Sequence, residues 1–398
     1  MISVDEARAR IIGALRCTGA ETVGLDQGWK RVLAAPVIAR LSQPPADISA
    51  MDGYSLRAVD GQPGARLKVI GTAPAGHPFN GKVGPGEAVR LFTGSFIPAG
   101  ADTVLLQEDA TAADGIVTVN EATFASKHIR RAGQDFCAGD VLVPAGRRLA
   151  ARDIGLAAAG NHPWLSVYRR PRIAILATGD EISLPGEAIG PGGIVSSNAH
   201  ALAAFVTACG GEATVLPIAG DDLAAIAAGA DAARGADLLL TTGGASVGDH
   251  DLVKEGLVAR GLTLDFWRIA MRPGKPLMFG KMGETPMLGL PGNPVSAYVC
   301  ALLFLGPAIG RMSGLPGDPP MILPARLAAA MKPNDSREDY VRATLAWEEG
   351  GWVATPFLVQ DSGMLRTLAL ANALIRRPAH QGVLAVGDPV EVIALGDL

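Results

Sequence analysis

DLLLTTGGASVGDHD, residues 237–251, is the stretch of this chain that most directly indicates a fold. Residues 238–242 are apolar or β-favouring, as in a buried strand, and the residues that follow are glycines, a serine and two acids. Buried strands that end in glycine-rich loops form anion and metal sites at the carboxyl edge of α/β sheets. The stretch therefore predicts an α/β domain with a ligand-binding edge.

Two further loops of related composition follow along the chain. MRPGKP occupies residues 271–276, and LPGNPVS occupies residues 290–296; each follows an apolar run. Together with the first loop, they predict one composite pocket for a phosphorylated ligand.

The composition sets limits on the class of protein. A chain of 398 residues is long enough for about two to four domains. An apolar fraction of 48% is sufficient for large cores, and a net charge of −4 gives no indication of nucleic-acid binding. Any positively charged site must therefore be a local cluster of basic residues.

Targeting and covalent cross-links are not indicated by the sequence. The four cysteines lie far apart without a CxxC pair, which argues against a zinc site or a disulfide framework. Residues 1–12 predict a charged amphipathic helix rather than a signal peptide. The apolar run 295–309 is short for a membrane span and contains Pro307, so it predicts a buried helix. We expect a soluble cytoplasmic protein without a membrane partner.

The pattern of the chain changes several times along its length. Residues 3–16 have helical spacing, and residues 139–170 resemble a linker with a helix at 151–159. Residues 36–135 predict a β segment, with short strands at 67–70, 88–92, 103–107 and 116–119.

From residue 172 to about Gly314, predicted strands alternate with predicted helices. The strands are at 172–179, 213–218 and 237–242, and the helices are at 198–209 and 223–233. This alternation predicts a doubly wound parallel sheet. Residues 315–320 are a proline-rich linker, and residues 321–398 predict a small β domain.

Acidic residues follow two of these strands. Glu181 lies in TGDE, residues 178–181, and Asp221 and Asp222 follow VLPIAG. Carboxylates at a sheet edge are suitable ligands for Mg²⁺. They are equally suitable for capping the next helix, and the two roles can coexist on neighbouring residues.

Basic residues surround the MRPGKP loop. Arg268, Arg272 and Lys275 offer planar forks and a point charge for oxyanions. A solvated basic turn is the alternative, but the apolar neighbours Trp267 and Met271 favour the wall of a pocket.

Two other motifs have competing interpretations. GASVG, residues 244–248, matches the nucleophile elbow of hydrolases, but neither His250 nor His380 is a suitable triad partner. SAMDGY, residues 49–54, is an ordinary turn unless Asp52 faces the pocket.

These segments, taken in order, resemble the molybdopterin molybdenumtransferase family, which includes bacterial MoeA and the gephyrin E domain. The matching segments are PPADISAMDGY (44–54), FTGSFIPAGADTVLLQED (92–109), IRRAGQDFCAGD (129–140), ILATGDEI (175–182), TTGGASVGDHD (241–251), MRPGKP (271–276) and LPGNPVSA (290–297). They cover nearly the whole chain, and their combination is specific although no single segment is.

The resemblance implies a multidomain α/β plus β fold. Its domains would be an elongated linker domain (1–40 and 135–170), an inserted β domain (41–134), a doubly wound molybdopterin-binding domain (171–315) and a C-terminal β-barrel-like domain (316–398). It also implies that adenylylated molybdopterin and molybdate give molybdenum cofactor and AMP, with Mg²⁺ as the cation. The implied partners are a second copy of the chain, molybdopterin adenylyltransferase and the molybdoenzymes that receive the cofactor.

The resemblance also assigns residues. Those implied for catalysis are Asp52, Glu181, Asp221, Asp251 and Lys275, of which Glu181, Asp221 and Asp251 are metal ligands. Those implied for binding of the cofactor and its precursors are Thr93, Asp135, Gly243, Gly244, Ser246, Arg268, Arg272, Pro291, Pro294, Ser296, Arg342 and Ser362. Asp52, Thr93 and Asp135 would come from the other subunit of a homodimer.

This chain departs from the family pattern at two places. Arg268 and Arg272 stand where the family often has lysine, which keeps the charge but changes the oxyanion geometry. Asp361 precedes Ser362 where the family often has glycine, and this acid could weaken anion binding.

Two other functions remain as alternatives. A molybdopterin adenylyltransferase shares the α/β fold but lacks the long β domain and the SAMDGY segment. A gephyrin-like scaffold is the alternative from the class of binding modules. Within the transferase interpretation, the sequence does not distinguish molybdate from tungstate.

Overall fold

The computed structural model describes residues 1–243, 252–348 and 350–396, and the chain divides into two units. The larger unit contains Met1–Glu21, Lys30–Ala34 and Ser166–Leu398. The smaller unit contains Thr22–Trp29 and Ala35–Leu165.

The elements before residue 170 are mostly short strands. The helices are α1 (Val4–Ala14) and α2 (Ala151–Ala159), with 3₁₀ turns at Leu25–Gln27 and Ala58–Asp60. The strands are β1 (Ala20–Gly24), β2 (Val37–Ile38), β3 (Ile48–Ser49), β4 (Gly53–Leu56), β5 (Arg66–Ala73), β6 (Glu87–Leu91), β7 (Thr103–Leu106), β8 (Ala110–Ala113), β9 (Ile116–Val119), β10 (Ile129–Arg130), β11 (Val141–Val143) and β12 (Trp164–Tyr168).

The elements after residue 170 first alternate and then become all β. The helices are α3 (Asn198–Ala208), α4 (Leu223–Ala232), α5 (Leu252–Ala259), α6 (Pro294–Cys300), a π-helical segment (Ala301–Leu305), α7 (Gly306–Met312) and α8 (Leu365–Leu370). The strands are β13 (Arg172–Ala177), β14 (Ile182–Ser183), β15 (Ile194–Val195), β16 (Glu212–Val215), β17 (Leu238–Thr242), β18 (Leu262–Phe266), β19 (Met271–Arg272), β20 (Met278–Met282), β21 (Thr285–Leu290), β22 (Ile322–Leu327), β23 (Glu338–Glu348), β24 (Gly351–Pro356), β25 (Ala373–Arg377) and β26 (Pro389–Ala394).

The smaller unit is built around a sheet with the strand order β7-β4-β6-β5-β9-β8. Alternate residues of its strands are apolar and buried, among them Leu56, Leu67, Leu91 and Val117. The strands that the sequence predicted in residues 36–135 are confirmed within a few residues at each end.

Helix α2 of the smaller unit has the bounds that the sequence predicted. Its first turn is fixed because the buried Asp153 carboxylate accepts a hydrogen bond from the Ala150 N–H at 2.8 Å and pairs with Arg147. A carboxylate at this position satisfies a donor that the first turn of a helix leaves open. Nearby, β2 pairs with β11, which joins two segments that are far apart in sequence.

The larger unit contains a sheet with the order β16-β13-β17-β21-β20-β18. The first four strands in this order, β16, β13, β17 and β21, are parallel. The central strand β17 places Leu240 between Ile175 of β13 and Leu288 of β21. The predicted parallel α/β sheet is confirmed at its centre. At one edge, β20 is antiparallel to both of its neighbours, β21 and β18. Its orientation relative to β21 follows from the tight turn between them, which contains Gly283 at φ +58°.

The longest apolar helix lies inside the larger unit. Residues Pro294–Met312 are apolar enough and long enough to cross a membrane, but 83% of the helical window is buried in the protein. Its side chains, such as Val299 and Phe304, belong to the main core. The predicted buried helix is confirmed.

The end of the chain forms a closed barrel. The strands follow the order β23-β24-β22-β26-β25, and β25 also pairs with β23 to close the ring. Ala343, Ile375 and Val392 fill its interior. Strand β19 adds to β23 in parallel, with Met271 opposite Glu338, so the MRPGKP loop is held at the mouth of the barrel.

Candidate functional site

The carboxyl ends of the central strands meet at a glycine. Gly243 follows β17 at φ +98°, and a Cβ there would lie 2.3 Å from the Thr178 carbonyl oxygen at the end of β13. Only glycine can adopt this backbone without a clash. The two loop exits therefore lie side by side at the sheet edge.

Asn198, the first residue of α3, joins this edge to the LPGNPVS loop. Its Nδ2 donates to Thr242 Oγ1 at 3.0 Å and to the Gly292 carbonyl oxygen at 2.7 Å. Asn198 is not part of any of the predicted motifs, although SSN at 196–198 immediately before a helix is a local signal for a polar cap.

A cavity of about 690 Å³, here called the sheet-edge cavity, opens above these strand ends. Its predicted residues are Glu181, Gly243, Lys275, Pro291 and Pro294. Its other polar lining residues are Ser196, Ser197, Asn198, Thr242 and Asn293. The wall thus combines a positive-φ glycine with hydroxyl and amide groups, a set that is suitable for a phosphorylated ligand.

The acidic residues of this edge have separate roles. Asp222 caps α4, because its carboxylate accepts from the Ala225 N–H at 2.8 Å. Asp221 instead faces Asp180, and its N–H donates to Asp180 Oδ1 at 2.9 Å. Glu181 folds back over Gly179, where a Cβ would lie 2.5 Å from Glu181 Oε2.

Two of these carboxylates, those of Asp180 and Asp221, lie side by side at the sheet edge. Carboxylate oxygens are the ligands that Mg²⁺ prefers, and the ends of β13 and of the loop after β16 bring Asp180 and Asp221 together. No group of three His, Cys, Asp or Glu residues with metal-ligating spacing occurs within 1–243, 252–348 and 350–396. Asp251, the third predicted ligand, lies outside the described residues, as do Gly244, Ser246 and the GASVG motif.

A second cavity of about 740 Å³, here called the arginine cavity, lies where the MRPGKP loop meets the barrel. Its basic lining residues are Arg272, Lys275, Lys332, Arg342 and Arg377, and it also contains Ser296, Ser362 and the carboxylate of Asp339. Lys275 and Pro276 line both cavities. Among the described lining residues, basic side chains outnumber acidic ones, so the cavity is suited to anions.

Arg272 is held by a buried carboxylate. Its Nε and Nη2 donate to the two oxygens of Asp339 at 3.0 and 2.8 Å, and Asp335 lies 3.8 Å from Nη1. Asp339 is only 3% exposed. The guanidinium therefore occupies a fixed position, and much of its charge is neutralised locally.

Arg342 has a different environment, with 1% of its surface exposed. Its Nε donates to Gln360 Oε1 at 3.2 Å and its Nη1 to the Met364 carbonyl oxygen at 3.2 Å. In the described part of the chain, no carboxylate lies within 4 Å of it. Burial lowers the pKa of this guanidinium, although Asp361 opposes the shift. An arginine nevertheless stays protonated, so this is a buried positive charge with no ion-pair partner among the residues that the structure describes.

Lys275 is half-buried between the two cavities. Its carbonyl oxygen accepts from the Ile269 N–H at 3.1 Å, which fixes the backbone of the loop. Its ammonium makes no ion pair with any described residue. It is therefore a cation available to a ligand in either cavity.

Ser362 joins the barrel domain to the LPGNPVS loop. Its Oγ accepts from Asn293 Nδ2 at 3.0 Å, and its carbonyl oxygen accepts from the Val295 N–H at 3.1 Å. The neighbouring Asp361 carboxylate accepts from the Gly363 N–H at 2.7 Å. Asp361 thus supports a local turn next to Ser362.

Arg268 does not line either cavity. Its guanidinium stacks 4.7 Å from the centre of the Trp267 ring, on the exposed side of the loop.

Asp52, Thr93 and Asp135 all lie in the smaller unit. Asp52 Oδ1 accepts from the Thr93 N–H at 2.7 Å and from the Thr93 hydroxyl at 2.8 Å. These bonds lower the pKa of Asp52, so its carboxylate is ionised at neutral pH. Asp135 is exposed, and its N–H donates to the Gln43 carbonyl oxygen at 3.0 Å.

The fold and the two cavities define a multidomain α/β protein with one polar cavity at a sheet edge and one cationic cavity beside a barrel. The chain is 35% identical, over 94% of its length and 88% of the relative, to a molybdopterin molybdenumtransferase of Nostoc sp.. It belongs to the molybdopterin molybdenumtransferase family and is a transferase enzyme of molybdenum cofactor biosynthesis.

Other similarities cover the chain equally well. The molybdopterin molybdenumtransferase of Haemophilus influenzae is 32% identical and covers 98% of both chains. The solved structure of a molybdopterin biosynthesis MoeA protein from Pyrococcus horikosii superposes with a TM-score of 0.87 at 28% identity, over 100% of both chains.

Three family models match consecutive parts of the sequence. They are the MoeA N-terminal region (domain I and II) at residues 2–160, a probable molybdopterin binding domain at 174–311, and the MoeA C-terminal region (domain IV) at 324–395. The family predicted from the sequence motifs is confirmed, and so is the fold class. The residue bounds of the predicted domains stay a prediction.

Proposed function

We propose that this enzyme transfers molybdenum from molybdate to adenylylated molybdopterin and releases AMP. The observation that supports this reaction is the position of Lys275, which lines both the sheet-edge cavity and the arginine cavity. A phosphorylated pterin in the first cavity and an oxyanion in the second would meet at this residue.

The sheet-edge cavity provides polar groups for the pterin substrate. Its phosphates would accept hydrogen bonds from backbone N–H groups near Gly243 and from the hydroxyls of Ser196 and Ser197. The prolines Pro291 and Pro294 make the opposite wall stiff. These groups would orient the ligand so that its reacting end points toward Lys275.

The arginine cavity provides charge for molybdate. Lys275 and Arg342 lack carboxylate partners among the described residues, so an oxyanion would neutralise charges that the fold leaves unpaired. The hydroxyls of Ser296 and Ser362 are placed in the same cavity as additional donors. Arg272 would contribute hydrogen-bond donors in a fixed position and less positive charge, because Asp339 neutralises much of its charge.

Mg²⁺ is part of this proposal. Glu181 and Asp221 would hold it at the sheet edge, together with Asp251 from the sequence motif, and it would neutralise charge on the phosphates. Asp180 is a further carboxylate beside Asp221.

We also propose a homodimer in which Asp52, Thr93 and Asp135 act at the site of the second subunit. The motif resemblance supports this arrangement. The Asp52 carboxylate supports it as well, because hydrogen bonds from Thr93 orient it while it stays partly exposed. A cytoplasmic location agrees with the exposed thiols of Cys17 and Cys137, which suit a reducing compartment. Molybdopterin adenylyltransferase and apo-molybdoenzymes would be the partners before and after the reaction.

The direct test is incubation with adenylylated molybdopterin, molybdate and Mg²⁺. We expect AMP release, together with a product that activates an apo-molybdoenzyme, and both should disappear when molybdate is omitted. A molybdopterin adenylyltransferase would instead consume ATP and unmodified molybdopterin. A folded protein that produces neither AMP nor active cofactor would contradict the proposal.

A further inference from the structure

Arg377, the last residue of β25, is a buried cation that the sequence motifs do not include. It is 4% exposed and lines the arginine cavity at the mouth of the barrel. In the barrel register it stands opposite Asp339 of β23.

The fold orients this guanidinium without giving it a negative partner. Nε donates to Gln381 Oε1 at 3.0 Å, and Nη2 donates to the Gly382 carbonyl oxygen at 3.2 Å. Gln381 is itself anchored, because its N–H donates to Asn334 Oδ1 at 2.7 Å. Nη1 makes no hydrogen bond within residues 1–243, 252–348 and 350–396. The fork is therefore held in place with donors left over.

The nearest acid is already engaged. Both oxygens of Asp339 accept hydrogen bonds from Arg272. Counting only described residues, no carboxylate lies within 4 Å of the Arg377 guanidinium. Burial lowers the pKa of Arg377, Asp339 opposes the shift and Arg272 adds to it. A buried charge without a partner is unfavourable unless a ligand supplies the opposite charge.

Arg376, the neighbouring residue on β25, does have carboxylate partners from the barrel. Arg376 pairs with Glu338 at 2.6 Å and with Glu391 at 3.0 Å. It does not line the arginine cavity. The two consecutive arginines therefore differ in their surroundings. Arg377 lines the cavity and has no carboxylate within 4 Å among the described residues, whereas Arg376 has two and does not line it.

We propose that Arg377 binds a small tetrahedral oxyanion at the mouth of the C-terminal barrel. This inference rests on the proposed function, because it assigns to the same cavity a binding residue in addition to Lys275, Arg342 and the serines. A planar guanidinium can donate two parallel hydrogen bonds to such an anion, whereas an ammonium offers only a point charge.

Equilibrium dialysis of the full-length protein against molybdate tests the proposal. We expect Arg377→Gln to weaken molybdate binding about tenfold, and Arg377→Lys to weaken it about threefold because the charge remains but the fork is lost. Arg376→Gln is the matched control: it should lower the melting temperature and leave the dissociation constant unchanged. If Arg377→Gln does not fold, Arg377→Lys provides the comparison.

Two further outcomes of the binding experiment distinguish a failure of this proposal from a failure of the proposed function. If Lys275→Ala weakens molybdate binding and both Arg377 variants bind like the wild type, the role of Arg377 is wrong and the cavity assignment stands. If the wild type binds sulfate or phosphate but not molybdate, and Arg377→Gln loses that binding, Arg377 is an oxyanion residue and the proposed substrate is wrong.

Discussion

At the scale of single residues, the arginine cavity depends on which cations have a carboxylate partner. Arg272 and Lys275 lie three residues apart in one loop and were predicted together from the sequence. Arg272 is bound by the buried Asp339, whereas Lys275 makes no ion pair with a described residue. The sequence could not show this difference, because Asp339 is 67 positions away and is brought near by the β19–β23 pairing.

The first prediction concerns Lys275. Two unit charges about 4 Å apart interact by about 4 kcal/mol at a surface-like dielectric and by about 1 kcal/mol in water. Since about 1.4 kcal/mol corresponds to a tenfold change, Lys275→Ala should raise the molybdate concentration for half-maximal rate about tenfold or more. The measurement is the initial rate of AMP release as a function of molybdate concentration.

The control for this prediction is Lys281→Ala. Lys281 is an exposed lysine on β20 and lines neither cavity, so its removal changes the net charge equally. An unchanged molybdate dependence in Lys275→Ala, with circular dichroism like that of the wild type, would remove Lys275 from the site.

At the scale of elements, the sequence pattern predicted the helices and strands whose bounds depend on neighbouring residues. Helix α2 has the bounds that its spacing predicted, and the buried strand β17 ends at Thr242, immediately before the predicted Gly243. The antiparallel edge of the α/β sheet was not predicted, and the C-terminal barrel was expected from the family resemblance and not from the residue pattern of 321–398. Both depend on the pairing of strands that apolar periodicity cannot orient.

The same distinction applies to the residues of the site. Gly243 and the LPGNPVS loop are parts of motifs and were recognised as such, whereas Asn198 and Arg377 are single polar residues without a motif. Their importance comes from burial and from contacts to distant loops, which a sequence pattern does not contain.

The second prediction concerns the strand that follows Asp52. Gly53 begins β4 between β6 and β7, and a Cβ there would lie 2.0 Å from the Leu105 carbonyl oxygen. Backbone atoms of a neighbouring strand cannot move away without loss of the ladder. Gly53→Ala should therefore lower the free energy of unfolding by about 1–3 kcal/mol, the usual range for overpacking, as measured by urea denaturation.

Gly13→Ala is the matched control for the same substitution. Gly13 lies in α1, and apart from its chain neighbours and the adjacent helix backbone no atom of the described residues lies within 4 Å of the position of its Cβ. Alanine there should be neutral or stabilising by about 0.5–1 kcal/mol, because glycine has more freedom to lose on folding. Equal destabilisation by both variants would show that the contact with Leu105 is not responsible.

At the scale of the whole molecule, the residues assigned to one reaction belong to different units of the chain. Asp52 and Thr93 are in the smaller unit, while Lys275 and both cavities are in the larger unit. The two groups can act together either within one chain or across a symmetric dimer, in which each subunit would complete the other's site. These alternatives make different predictions for mixtures of variants.

The third prediction is complementation between subunits. At a molybdate concentration far below the half-saturation of the Lys275→Ala enzyme, Asp52→Ala and Lys275→Ala chains should each have little activity as homodimers, because every site lacks one of the two residues. In a mixed dimer with shared sites, one site would lack both residues and the other would be intact. After subunit exchange, verified by native mass spectrometry with differently tagged chains, activity should rise toward about one half of the wild-type value per mixed dimer. If mixed dimers form and remain as inactive as their parents, Asp52 and Lys275 act within one chain and the shared-site arrangement is wrong.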